Sequence, residues 1–133
     1  MILDIARNCM GFKDATHAEY DPYASHIFIS KLECSLRDRE MQLDLLAGSK
    51  LAELYQGTRA TEKYYCNFGV NPEYVEALSD QVAVVASDSE GELRAIEIPE
   101  HDFWIGTLYV PQALSQKGKP HPIVNGFLQT ICN

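Results

Sequence analysis

Residues 81–110 read QVAVVASDSEGELRAIEIPEHDFWIGTLYV, and the way this stretch divides decides the fold. Its first six residues are a short apolar run of β-type, and Asp88-Ser89-Glu90-Gly91 supplies turn chemistry. Glu92 to Ile98 is a second run of the same type, so the two make a hairpin. Phe103 to Val110, rich in aromatic and β-branched residues, reads as a third strand. The expectation is a three-stranded antiparallel meander over about 81–110.

Outside that stretch the pattern reads as helical. Asp21-Pro22, Asn71-Pro72 and His121-Pro122 each place proline where a first helical residue would sit, since its fixed φ and missing N–H suit that position. Ile2, Ile5, Ala6 and Cys9 share one side of a short helix that Gly11 stops. From Pro22, Ala24, Phe28, Leu32 and Leu36 recur at helical spacing; alternation of Phe28, Leu32, Cys34 and Leu36 also fits a strand, but the Asp-Pro start decides for helix. Leu43, Leu46, Ala47, Leu51 and Leu54 give a second helix over 38–55 a broad apolar face, with Gly48-Ser49 as a kink or split. Tyr64, Tyr65 and Phe68 suggest a short strand, and Pro72 to Leu78 one or two helical turns. Pro122 to Cys132 closes the chain as an amphipathic helix. Helices first, then a meander, then a helix is a segregated order, which argues for an α+β fold in one domain, 1–133.

Composition supports a globular chain: 133 residues, 46% apolar and 23% charged. Asp4 and Arg7 interrupt any signal-type apolar core, and no run of about 18 apolar residues exists. The expectation is therefore a cytoplasmic protein with no membrane contact. Cys9, Cys34, Cys66 and Cys132 are scattered and read as reduced thiols.

Charge is uneven. The formal net charge is −8, and between Glu73 and Asp102 nine acids face one base, Arg94, so this stretch alone carries the whole excess. A concentrated negative surface repels phosphate backbones and attracts basic proteins, which argues against direct nucleic-acid binding.

Motifs for chemistry are sparse. The eight glycines are isolated, and Ala47-Gly48-Ser49-Lys50 lacks the leading glycine of a phosphate loop. His17, His26, His101 and His121 have no metal-ligand spacing, so no metal or other cofactor is expected. No G-x-S-x-G elbow occurs.

Two readings compete. The favoured one is a non-enzymatic inhibitor, immunity-type or adaptor module that docks on a basic partner protein, steered by Glu90, Glu92, Glu97, Glu100 and Asp102 and anchored by Trp104. The alternative is a small-ligand binder or enzyme, with a pocket between meander and helices near Trp104 and His101, and Tyr109, His121 and Cys66 as further candidates. A homo-oligomer built through an exposed sheet edge is compatible with either.

Overall fold

Strands begin much earlier than the 81–110 stretch implies. The computed structural model describes residues 1–132. In chain order the elements are α1 (Ile2–Asn8), β1 (Thr16–His17), β2 (Ile27–Lys31), β3 (Arg39–Leu45), α2 (Lys50–Tyr55), β4 (Arg59–Tyr64) and β5 (Phe68–Val70). After a 3-10 turn at Pro72–Tyr74 come α3 (Val75–Leu78), β6 (Ala83–Ser87), β7 (Leu93–Glu97) and β8 (Ile105–Thr107). A second 3-10 turn at Pro111–Leu114 leads to α4 (Pro122–Cys132).

The expected meander is present as β6-β7-β8, but it is only part of a larger sheet. Five strands run in the order β4-β3-β6-β7-β8, each antiparallel to its neighbour. The sheet is curled, and its β6–β7 register shifts twice, at Val84/Ala86 and Ala86/Ser87, where local bending is expected. A second sheet, β1-β2-β5, pairs β1 with β2 in parallel and β2 with β5 antiparallel.

Two expected helices are corrected. In β3, Met41, Leu43 and Leu45 turn inward while Glu40, Gln42 and Asp44 face solvent, a period of two. The broad helical face over 38–55 came from joining this inward row to the apolar side of α2. Gly48, at φ 82°, breaks the two apart, and the Ser49 side chain accepts from the Ala52 N–H to start α2. At Asp21-Pro22, Asp21 closes a local turn by accepting from the Tyr23 N–H at 3.1 Å, and no helix follows. Residues 27–31 form β2, with Phe28 fully buried. The other two proline steps do open helical turns, and α1 and α4 stand where expected.

The core lies on both faces of β7. Ala95 joins a cluster with Leu43, Leu51, Tyr64, Val85 and Tyr109. Its neighbour Ile96 joins the other, with Ile5, Ala6, Phe28, Leu78 and Val82. Successive side chains of a strand point to opposite faces, so β7, covered on both sides, buries Arg94, Ala95, Ile96 and Glu97 without alternation.

Candidate functional site

The acidic stretch does not form one surface. Asp88 is buried at the β6–β7 turn, where Oδ1 accepts from the Glu90 and Glu92 N–H groups at 2.9 and 3.0 Å. Its Oδ2 accepts from Arg94 Nε and Nη2 at 3.1 and 2.6 Å. Burial disfavours the charged form of Asp88, but the Arg94 bonds and the two N–H groups outweigh it and hold the carboxyl below its usual range. Glu92 also pairs with Arg94, at 2.5 Å.

Glu97, named above as a docking acid, is buried. Its carboxylate accepts from the Leu51 N–H at 2.6 Å and the Lys50 N–H at 3.3 Å, capping α2 from a distant strand. Replacing Glu97 with alanine leaves those two N–H groups without an acceptor; the expected loss is about 2 kcal/mol, read as a lower urea midpoint at unchanged slope. Only Glu90, Glu100 and Asp102 of the five acids are exposed, and Glu90 sits at the opposite end of β7 from Glu100 and Asp102.

A cleft of about 390 Å³ does lie where the alternative reading put one. Trp104 and His101 form one side, and the Leu46–Lys50 loop with Glu53 of α2 the other. The Lys50 ammonium donates to the Asp102 carbonyl, which ties the loop after β7 to the start of α2. Tyr109, His121 and Cys66 are not in this cleft.

Tyr109 and His121 belong instead to a buried polar cluster. His121 Nε2 lies 2.8 Å from Glu62 Oε1, and the Tyr55 hydroxyl donates to the same oxygen at 2.6 Å. Tyr109 Oη is 3.3 Å from Tyr55 Oη. His121 Nδ1 accepts from the Ile123 N–H at 3.2 Å, so Nδ1 is unprotonated and Nε2 carries the proton it gives to Glu62. The imidazole thus caps α4 on one side and bonds Oε1 of the buried Glu62 side chain on the other, while Glu62 Oε2 has no hydrogen-bond partner among the described residues. Burial pushes the phenols of Tyr55 and Tyr109 well above their ordinary range, so both stay protonated. Glu62 and Tyr55 escaped the sequence reading; the signal was the inward row Ala60, Glu62, Tyr64, hidden until 59–64 is read as a strand.

Cys66 lines a third feature, a groove of about 700 Å³ shared by α1, β5 and β8, with His17, Arg7 and Glu19 at its rim. Burial pushes the Cys66 thiol up, away from the thiolate needed for attack. Nucleophilic catalysis needs a thiol or hydroxyl bonded to a base. Among the described residues no cysteine, serine or threonine side chain bonds to a histidine ring: His17 accepts from the Glu19 N–H, His26 pairs with Asp14, and His121 with Glu62. Among the described residues, too, no three His, Cys, Asp or Glu side chains converge as metal ligands, and no helix is long and apolar enough to cross a membrane.

No family model matches the chain. Curated relatives do, almost from end to end. A CTP synthase of Natronomonas pharaonis is 30% identical over 139 residues, covering 98% of this chain and 25% of the relative. CTP synthases of Deinococcus radiodurans (31%) and a Cyanothece species (32%) each align with 96% of the chain, which spans 27% and 25% of them. The chain therefore spans about a quarter of the length of the curated relatives it matches. Among solved structures, the glutaminase domain of Trypanosoma brucei CTPS with bound acivicin superposes with a TM-score of 0.87 at 20% identity, over 98% of this chain and 55% of that one. These matches overturn the reading as an inhibitor or adaptor for a basic partner, which the burial of Asp88 and Glu97 already undercuts: the chain is similar in sequence to a quarter of an enzyme and has the fold of part of a glutaminase domain.

Proposed function

We propose that this chain is one portion of a glutaminase-type domain serving a cytoplasmic enzyme of the CTP synthase kind. The observation that carries the reading is the end-to-end match, 98% of the chain in both sequence and fold. The portion supplies the curled sheet, the α4 latch and the walls of the flanking cavities. Hydrolysis of a carboxamide through a covalent intermediate requires a nucleophile, a base that takes its proton and as the conjugate acid delivers it to the departing ammonia, and a water that then releases the acyl group. Among the described residues no cysteine, serine or threonine side chain bonds to an imidazole, and the one hydroxyl that does, Tyr55 with His121 at 3.1 Å, is a buried phenol, so on this reading the nucleophile and base lie in polypeptide outside this chain. The Trp104–His101 cleft is a small-ligand pocket of the same domain.

The test is ligand-linked stability. Protein purified from its source should melt at higher temperature with L-glutamine or acivicin at saturating concentration, because a ligand bound only to the folded state stabilises it. The isolated chain should show no shift. A flat response from the source protein with both compounds contradicts the proposal.

A further inference from the structure

The cleft beside Trp104 is closed entirely by this chain's own residues, and its chemistry favours one class of ligand. The buried Val85 and the half-buried Ile98 and Trp104 form its inner lining, with the exposed Leu46, Pro99 and His101 at its rim. The rim is fixed in place: the His101 N–H donates to the Ile98 carbonyl at 3.1 Å, and the Ile98 N–H to the Trp104 carbonyl at 3.3 Å. Its volume of about 390 Å³ is that of a small-molecule site, for which roughly 300–1,000 Å³ is usual.

The ionisable side chains of the lining are Lys50, Glu53, Glu97 and His101. Glu97 accepts from the Lys50 and Leu51 N–H groups, so the backbone donors that open α2 are already taken by an internal carboxylate. A bound anion would have to displace it. The Lys50 ammonium is engaged too, by the Asp102 carbonyl and, at 5.9 Å, by the Phe103 ring. Glu53 alone among the acids of the cleft is exposed, and it makes no ion pair among the described residues. It stands on the wall opposite Trp104. A carboxylate attracts a cation by its charge, and an indole face attracts one by its quadrupole.

We propose that this cleft binds an organic cation, an ammonium group carried on an apolar or aromatic body. The ammonium would sit between the Glu53 carboxylate and the face of Trp104, and the body against Leu46, Ile98 and Pro99. This rests on the reading of the cleft as a ligand pocket and is independent of where the glutaminase nucleophile and base lie. Specificity follows from the charges: the apolar walls accept many bodies, whereas an anionic head meets Glu53 and an α2 terminus that Glu97 has filled.

Trp104 is the only tryptophan of the chain, so its fluorescence reports on the cleft directly. The full chain is titrated at low salt with 2-phenylethylamine and with 3-phenylpropionate, which share ring and spacer but carry opposite charges. The amine should give a saturable change, and the carboxylate should bind about 10-fold more weakly or not at all. Glu53→Gln, at an exposed position, should leave the melting temperature unchanged and weaken the amine about 5-fold. Trp104→Leu, followed by calorimetry because it removes the reporter, should weaken the amine about 10-fold. Equal affinity for the two compounds, a preference for the carboxylate, or an amine affinity untouched by Glu53→Gln overturns the proposal. No saturable change with either compound overturns it together with the pocket reading. Amine binding without a glutamine effect on the source protein would remove the glutaminase reading and leave the cation site standing, and a glutamine effect without amine binding would do the reverse.

Discussion

Replacing Asp88 with alanine should destabilise the fold by about 3–5 kcal/mol, the largest single effect expected in this chain. Its side chain is 2% exposed and that of Arg94 4%, so the pair is fully withdrawn from water. Removing the carboxylate leaves the guanidinium buried with only the half-exposed Glu92 as counter-charge, and frees the Glu90 and Glu92 N–H groups that set the turn. Denaturant midpoints measure the loss. A pH series checks its electrostatic part. The folded Asp88 carboxyl titrates below its unfolded value of about 3.9, so its contribution is fully present above that pH and disappears as pH falls through the lower folded value. Asp88→Asn should flatten that part of the acid limb. An unchanged acid limb would show that other carboxylates govern it.

Replacing Glu62 with alanine should cost about 2–4 kcal/mol, since the Tyr55 hydroxyl and the His121 Nε2–H both lose a buried acceptor. The loss should be felt first in α4. His121 starts that helix, which is also held by Ile123 against the core cluster, by Gly126 against Leu54 and by the Phe103–Phe127 edge contact. Limited proteolysis should cut within 115–132 in Glu62→Ala well before the sheet unfolds. Glu62→Gln keeps an acceptor oxygen and should lose less. Tyr64→Phe is the control from the same strand face: its buried hydroxyl has no partner among the described residues, so its removal should be neutral or stabilising. Strong destabilisation by Tyr64→Phe would mean that the hydroxyl has a partner.

What the sequence disclosed and what it hid have separate physical causes. The meander was legible because its strands are contiguous apolar runs bounded by turn residues, and α4 because His121-Pro122 marks its start. Residues 38–55 misled because a half-buried strand and a helix joined by residues 46–49 put Leu43, Leu46, Ala47, Leu51 and Leu54 at spacings of three and four. Residues 22–36 misled because Asp-Pro serves a local turn as readily as a helix start. The charge reading failed for a different reason. Counting acids assumes that they are solvated, and sequence does not show that Asp88 and Glu97 are held inside by Arg94 and by the α2 N–H groups. Of the pocket residues, Trp104 and His101 do meet in one cleft; Tyr109 and His121 meet in another place, around Glu62, because long-range partners leave no local pattern.

The central claim, that the chain is one part of a glutaminase-type domain, is tested most directly by following release of labelled ammonium from amide-labelled L-glutamine, with the source protein and the isolated chain side by side. Turnover by the source protein, with none above background from the isolated chain, is the predicted result. No turnover by the source protein would contradict the claim, and turnover by the isolated chain would contradict the placement of the nucleophile and base outside it.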